Sequence, residues 1–200
     1  MRITTRRAGW LAFVVLLVAG CAGPPLRIYT LAQPPVNEDT RQLAAEAPVI
    51  EVDRLVLPND IDSEDIVLRD GDVLERRTTG RWASRLSLLA TDLVTSRLAA
   101  RVPDALITDQ SPARRPTYRI IIHVAQLDIA KSGRALLDAD WQILTGDAGT
   151  LPIRDRTRIQ LAGPTSTDSD IVRLEAALFD RMADTVVVDL RHAAGIPHVS

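Results

Sequence analysis

The chain has 200 residues, of which 46% are hydrophobic, and a formal net charge of −2. The first 20 residues contain three arginines and no acidic residue, so their removal lowers the charge by three, to −5. A mildly acidic chain is a poor match for nucleic acid or for broad adhesion to anionic lipid. The remaining length is enough for one domain with its own core.

Residues 1–20 have the pattern of a signal peptide. Arginines at positions 2, 6 and 7 precede an apolar stretch, Ala8 to Ala19, that is shorter than the roughly 20 residues a membrane-spanning helix needs. The stretch ends in Val18-Ala19-Gly20-Cys21, a lipobox whose cysteine thiol receives a diacylglycerol. We predict cleavage before Cys21 and acylation of that residue. The alternatives are an ordinary secretory signal or an uncleaved anchor.

Cys21 is the single cysteine of the chain, so a disulfide within the mature chain is excluded. The three histidines, His123, His192 and His198, have no spacing typical of zinc ligands. The sequence contains no glycine-rich phosphate loop and no Gly-x-Ser-x-Gly elbow. We therefore predict no metal, no cofactor and no enzymatic activity, and we keep a lipoprotein enzyme as the least favoured hypothesis.

Residues 21–48 are predicted to form a lipidated tether, and residues 49–196 a single α+β domain. Within the tether, the alternating run from Leu26 to Leu31 around Tyr29 predicts a short strand. This run is either an edge strand of the domain or an adhesive piece of the tether.

The first half of the predicted domain reads as strands followed by a helix. A β-branched run from Val49 to Leu57 stops at Pro58-Asn59, which is typical of a strand and a turn. Two short strands around an Asp70-Gly71-Asp72 turn follow, at 66–69 and 73–76. The spacing of Trp82, Leu86, Leu89 and Leu93 then predicts a helix that starts with Trp82.

The second half reads as three strands and a helix. The run from Tyr118 to Ile129 places Ile120, Ile122 and Val124 on one face and, by strict alternation, Leu127 on the other. Strands from Ala135 to Leu144 and through residues 154–159 follow, and a helix begins after the Asp168-Ser169-Asp170 cap signals. Predicted core residues are Trp82, Leu86, Leu93, Trp141 and Leu178.

This order predicts an α+β fold. The expected architecture is a two-layer domain with an antiparallel or mixed sheet of about four to five strands and two helices on one face. The three middle strands have short connections, so we expect them to be antiparallel.

Two charged groups are candidates for contacts with a partner protein. The acidic loop after Pro58 lacks the glycine and glutamate of an EF-hand, so a solvated loop or a partner contact is favoured over calcium. The later strand carries arginine at every second position. The candidate residues are Asp60, Asp62, Glu64 and Asp65 in the loop, and Arg154, Arg156 and Arg158 in the strand.

Several short motifs occur in order along the chain, and the most specific is Arg81-Trp82-Ala83 with Leu86 one turn later. Together these motifs resemble the ABC-type transport auxiliary lipoproteins, the PqiC-like family, and the likeness covers most of residues 26–190. The loop departs from the family at Asn59-Asp60 and at Asp65, where an aromatic residue and a glutamine are common. The motif positions are Tyr29, Leu31, Pro58, Asp62, Arg69, Arg81, Trp82 and Leu86.

The resemblance implies a non-catalytic docking component of an envelope lipid transport system. Such a system pairs an ABC transporter with an MCE-domain protein that spans the periplasm. Ala22, in place of an aspartate after Cys21, predicts the periplasmic face of the outer membrane. Partners are then the membrane and the MCE-domain protein, with self-association into a ring as another outcome and no role for nucleic acid. The alternative function is a structural or assembly lipoprotein without a role in lipid transport.

Overall fold

The computed structural model describes residues 25–31, 43–146 and 150–194. The predicted signal peptide, the lipobox with Cys21, and residues 195–196 lie outside these ranges. Within them the elements, in chain order, are β1 (Arg27–Tyr29), β2 (Val49–Val52), β3 (Asp65–Asp70), β4 (Val73–Trp82), α1 (Leu86–Arg101), β5 (Leu106–Thr108), β6 (Tyr118–Ile129), β7 (Arg134–Thr145), β8 (Ile153–Ala162) and α2 (Asp168–Ala194).

The predicted α+β fold with a mixed sheet is confirmed. Five strands form a large sheet in the order β5-β2-β6-β7-β8. The β6, β7 and β8 strands are antiparallel, as their short connections predicted, whereas β2 is parallel to both β5 and β6. The two helices pack against each other and cover one face of this sheet, which leaves the opposite face open to solvent.

The alternation in β7 explains how the covered face is built. Every second residue from Ala135 to Ile143 is buried, which is the pattern of a strand with one face on the core. Trp141 lies at the centre of this face, and its indole N–H donates to Asp189 of α2 at 2.9 Å. The buried aromatic ring therefore keeps a partner for its one polar atom.

The prediction for Leu127 is wrong because β6 contains a bulge. Its register against β7 shifts between Val124 and Gln126, which inserts one residue, Ala125. An extra residue reverses the alternation that follows it. Leu127 and Ile129 consequently point into the core together with Ile120 and Ile122.

A second sheet of three strands, the small sheet, has the order β1-β4-β3. The run around Tyr29 is an edge strand, parallel to β4, and so lies within the folded part although it precedes Val49. The predicted helix start at Trp82 is wrong: β4 extends through Trp82, and α1 begins at Leu86. Leu86, Leu89 and Leu93 do lie on one face of α1, but Trp82 packs into the same core from the end of β4.

The start of α2 differs in detail from the prediction. Thr167 and Asp170 form a capping box: the Asp170 N–H donates to Thr167 Oγ1 (3.2 Å) and the Thr167 N–H to Asp170 Oδ2 (3.1 Å). Thr167, rather than the Asp168-Ser169-Asp170 run as a whole, is thus the cap. The helix has 27 residues, which corresponds to about 40 Å. It reaches Ala194, the last described residue.

Both sheets and both helices share one core. The five predicted core residues are all buried, Trp82 and Trp141 among the largest fully buried side chains. No helix in the described ranges combines the length and the apolar character needed to cross a bilayer.

Candidate functional site

Most of the residues that carry the family resemblance lie at one joint between the small sheet and the start of α1. Tyr29 of β1 is the register partner of Trp82 in β4. The Trp82 N–H donates to the Glu64 carbonyl at 2.8 Å, which ties the acidic loop to the same strand. We call residues 29–31, 61–65 and 81–87 the motif joint.

Asp62 caps helix α1 from outside the helix. Its Oδ1 accepts the Ser87 N–H at 2.9 Å, and its Oδ2 pairs with Arg85 at 3.2 Å. Arg85, the residue at the N-cap position, makes no capping bond with its own side chain. A carboxylate supplied by the loop therefore satisfies a helix N–H that otherwise lacks a partner.

The acidic loop divides into occupied and open carboxylates. Asp65 pairs with Arg81 at 2.9 Å and with Arg76 at 3.1 Å, and the side chains of Asp62 and Asp65 are largely buried. Asp60 and Glu64 are exposed. Of the four predicted contact residues, Asp62 and Asp65 thus serve the fold, and Asp60 and Glu64 are the ones a partner can reach.

The other motif positions also hold elements together. The Pro58 carbonyl accepts the N–H of Asp62 at 3.0 Å, which closes the turn, and Leu31 is buried. Arg69 of β3 pairs with Asp128 of β6 at 2.5 Å. Its carbonyl also accepts the Lys131 N–H at 2.9 Å. Arg69 therefore joins the small sheet to the large one by both its side chain and its backbone.

A third link joins the small sheet to the start of α2. The buried carboxylate of Asp168 accepts bonds from Arg77 Nε (2.5 Å) and Thr79 Oγ1 (2.8 Å) of β4. A Cβ at Gly80 would lie only 2.6 Å from Asp168 Oδ2. Glycine at this position lets the carboxylate approach the strand. Sequence reasoning missed this link, because nothing in the spacing of these residues connects β4 to a helix 90 residues later.

The predicted arginines lie on the open face of the large sheet, at the edge strand β8. Arg158 pairs with Asp138 of β7, Nε to Oδ2 at 2.8 Å. Within the described ranges, neither Arg154 nor Arg156 has a carboxylate at ion-pair distance, and both are exposed. We call Arg154, Arg156 and Arg158 the arginine row.

The arginine row also marks an open sheet edge. The Arg156 N–H donates to the side chain of Asp155 at 2.7 Å. An N–H that bonds to the side chain of the adjacent residue is not available to pair with a strand of another chain. Charged side chains on an edge strand also disfavour such pairing. Beside the row, His123 and Asp140 face each other at 3.1 Å, both more than half exposed. An exposed pair on a flat sheet face lacks the enclosure that acid–base catalysis uses.

One buried carboxyl has no partner. Glu175 of α2 is 4% exposed, and its Oε2 makes no hydrogen bond in the described part of the chain. It borders a cavity of ≈ 10 Å³, lined also by Ile61, Leu86 and Leu127, which is room for about one water molecule. Burial raises the pKa of Glu175 to about 8, so the carboxyl is largely protonated at neutral pH.

The buried acid and the accessible charges lie in different parts of the domain. Among the described residues no group of three or more His, Cys, Asp or Glu side chains is placed to hold a metal ion. Glu175, the acid whose pKa is shifted most, is enclosed in the core, and the arginine row lies on an open face. An acid with a perturbed pKa indicates a catalytic site when it lies in an accessible cleft, whereas Glu175 lies in the closed core.

Solved structures show the same class of fold. The chain aligns with an uncharacterized protein at a TM-score of 0.69 and 11% identity, covering 83% of this chain and 99% of the other. A Xanthomonas campestris protein of the family DUF330 aligns at a TM-score of 0.58 and 14% identity, covering 80% and 92%. At these identities the likeness concerns the fold alone. Among curated proteins no significant match is found.

The sequence itself identifies the family. The family model for the ABC-type transport auxiliary lipoprotein component matches residues 29–187, most of the chain. The chain belongs to this family, as the ordered motifs predicted. Membership indicates an auxiliary component of a transport system and a lipoprotein of the cell envelope.

Proposed function

We propose that this chain is the outer-membrane-anchored docking component of an ABC/MCE-type envelope lipid transport system, with no catalytic role. The observation that carries the proposal is the family match over residues 29–187, joined to a lipobox that ends in Cys21. An auxiliary lipoprotein supplies what a transporter of the inner membrane lacks, a fixed attachment point at the other membrane.

The attachment is proposed to run through Cys21. A diacylglycerol on the thiol, with a further acyl chain on the amino group, anchors firmly because each buried methylene contributes about 0.8 kcal/mol. Cys21→Ser should abolish lipid labelling and leave the protein as precursor or in soluble form. An unmodified mature terminus at another residue, found by mass spectrometry, would contradict the anchor. Density-gradient fractionation should place the wild type with outer-membrane markers, and recovery with inner-membrane markers would overturn that location.

The docking surfaces are proposed to be the exposed charges. Asp60 and Glu64 of the loop and Arg154 and Arg156 of the arginine row are accessible, and the last two have no ion-pair partner in the described ranges. Charges at the rim of an interface mainly set orientation and association rate. A weak contact is sufficient here, because attachment to one membrane raises the effective concentration of the two proteins.

Photo-crosslinking in intact cells tests the docking. A photoreactive residue at Arg154, Arg156 or Glu64 should give adducts with an MCE-domain protein, and the same residue at Arg181, exposed on α2, serves as the matched control. Adducts only between copies of this chain would favour a self-assembled ring. If neither forms, and deletion leaves outer-membrane lipid balance unchanged, the transport proposal fails and the structural or assembly role replaces it.

A further inference from the structure

The pairing of β1 fixes the end at which the chain enters the domain. β1 is parallel to β4, with Arg27 opposite Gly80 and Tyr29 opposite Trp82. Residues before Arg27 therefore lie toward the lower-numbered end of β4. That end is the β3–β4 hairpin, whose tip is at 70–73.

Two other loops gather at the same end. The Lys131 ammonium in the β6–β7 turn donates to Asp70 (3.0 Å) and to Glu75 (2.8 Å) of the hairpin. Thr165, in the loop before α2, donates to the Lys131 carbonyl at 3.0 Å. We call this group, formed by residues 70–73, 131–133 and 163–167, the anchor end.

The opposite end of the domain carries the other loops. The C-terminal part of α2 reaches the start of β6, where the Tyr118 hydroxyl donates to the Ala193 carbonyl at 3.0 Å. The end of β7 also lies there, since the Gly146 N–H donates to the Thr117 carbonyl at 2.9 Å. Because α2 runs from Asp168 at the anchor end to Ala194, the two ends are about 40 Å apart. We call the second one the distal end.

The tether is short compared with that distance. Cys21 lies four positions before Pro25, the first described residue, and four residue steps span at most about 14 Å. A lipid on Cys21 therefore holds the anchor end near the headgroups and leaves the distal end beyond the reach of the tether.

We infer that the anchor end is a membrane-contacting surface, with the hairpin tip and the β6–β7 turn facing the lipid and the distal end projecting about 40 Å away from it. The inference rests on the proposed lipid attachment at Cys21. It places the loops of the distal end and, on the open sheet face, the side of the arginine row nearer Arg154 farthest from the membrane, where a soluble partner reaches them.

The anchor end has no excess of positive charge that would select anionic lipid. Its one ammonium, Lys131, is paired with two carboxylates, so little net positive charge is available for anionic headgroups. Three large apolar side chains are exposed along the small sheet and the segment that enters it: Leu26 (55%) just before β1, Ile28 (61%) in β1 and Val73 (60%) at the hairpin tip. Contact is thus enforced by the tether and aided by apolar side chains, and it does not require anionic lipid.

Depth-dependent fluorescence quenching tests the orientation with the acylated full-length mature protein. Single cysteines replace exposed residues at the anchor end (Asp72→Cys, Ser132→Cys) or at the distal end (Asp104→Cys, Leu151→Cys). Each is labelled with a fluorophore in phosphatidylcholine vesicles that contain a headgroup-attached nitroxide. The sulfur of an acylated Cys21 is a thioether and does not react with the label.

Quenching should be several-fold stronger at positions 72 and 132 than at 104 and 151, and phosphatidylglycerol should not change this contrast. Insertion of about 20 Gly/Ser residues after Ala22, with a mean reach of about 25 Å, should reduce it. Equal quenching at both ends, or stronger quenching at the distal end, overturns the inference. Mass spectrometry of the same sample separates the causes: a Cys21 without acyl chains refutes the anchor, whereas equal quenching on an acylated chain refutes the orientation alone.

Discussion

The small sheet and the open face of the large sheet both carry many charges, but they use them differently. Around the small sheet, the carboxylates of Asp62 in the acidic loop, Asp65 in β3 and Asp168 in α2 are largely buried and bonded to arginines or backbone groups of neighbouring elements. On the open face, Arg154 and Arg156 lie in solvent without an ion pair in the described ranges. The family motifs thus lie mainly where the fold is held together, and the accessible charges lie elsewhere.

This difference separates stability from recognition. Removing one partner of a buried charge pair leaves the other unpaired and costs several kcal/mol, whereas exposed pairs contribute about 0–1 kcal/mol. Substitutions at the motif joint should therefore act on folding, and substitutions in the arginine row should act on binding. The predictions below test that separation.

Trp82→Ala should have the largest effect. The side chain is 2% exposed between the small sheet and the helices, and truncation of a buried large aromatic costs about 3–5 kcal/mol. The indole N–H has no hydrogen-bond partner in the described part of the chain, so Trp82→Phe should cost clearly less. Chemical denaturation measures both, with Leu151→Ala, on a fully accessible side chain, as control. If Trp82→Ala has the same denaturation midpoint as wild type, Trp82 is not part of the core and becomes a candidate for the binding surface.

Glu175 should make the stability of the protein depend on pH. Burial raises its pKa from 4.5 to about 8 in the folded state, so between these values the folded state binds one proton that the unfolded state lacks. The stability that the protonated Glu175 contributes is fully present below about pH 4.5. As pH rises from there toward 8, the free energy of unfolding falls by up to about 1.4 kcal/mol per pH unit. Glu175→Gln should flatten the profile of unfolding free energy against pH.

The matched control is Glu64→Gln, which removes an exposed carboxyl of the same type at the motif joint. If Glu175→Gln keeps the wild-type profile, the Glu175 carboxyl has a partner or reaches solvent in the folded state, and the core is less closed beside the motif joint than described.

The regular parts of the large sheet were predictable because their patterns are local. Alternation predicted β6 as far as Val124 and all of β7. The spacing of the leucines predicted α1 from Leu86 onward, and the cap signals near Asp168 predicted α2. The failures occur where a single residue depends on a distant one. The bulge at Ala125 reverses the face of Leu127, and no local signal marks it.

The small sheet shows the same limit more clearly. Trp82 has helical spacing to Leu86 and Leu89, yet it ends a strand because β1, more than 50 residues earlier, pairs with it. Among the charged candidates, Asp62 and Asp60 look alike in sequence. Only the fold distinguishes them, since the start of α1 lies against the first and not against the second.

Asp62→Ala should have a moderate effect on stability. It removes the acceptor for the Ser87 N–H, and loss of a helix cap costs about 1 kcal/mol, within a range of about 0.5–2. Asp62→Asn keeps an acceptor oxygen and should lie close to wild type. Asp60→Ala, two residues earlier and exposed, should leave the thermal midpoint unchanged. If the Asp60 and Asp62 variants shift it equally, Asp62 does not cap α1.

Reversal of the arginine row should have the smallest effect on folding and the clearest effect on recognition. Arg154→Glu and Arg156→Glu change exposed residues without an ion pair in the described ranges, so the free energy of unfolding should change by less than about 0.5 kcal/mol. If the row contacts an acidic partner surface, association should slow. The difference from wild type should shrink as salt rises, since exposed charges are screened beyond about 8 Å at physiological ionic strength.

Arg181→Glu, on the exposed side of α2, provides the same charge change away from the sheet. If all three variants lose partner capture equally, the net charge of the protein matters and the position of the charge does not. If the Arg154 and Arg156 variants capture the partner as well as wild type, the open face is not part of the docking surface. A loss confined to those two, with an unchanged melting temperature, would assign recognition to Arg154 and Arg156 on the open face, which have no ion pair in the described ranges.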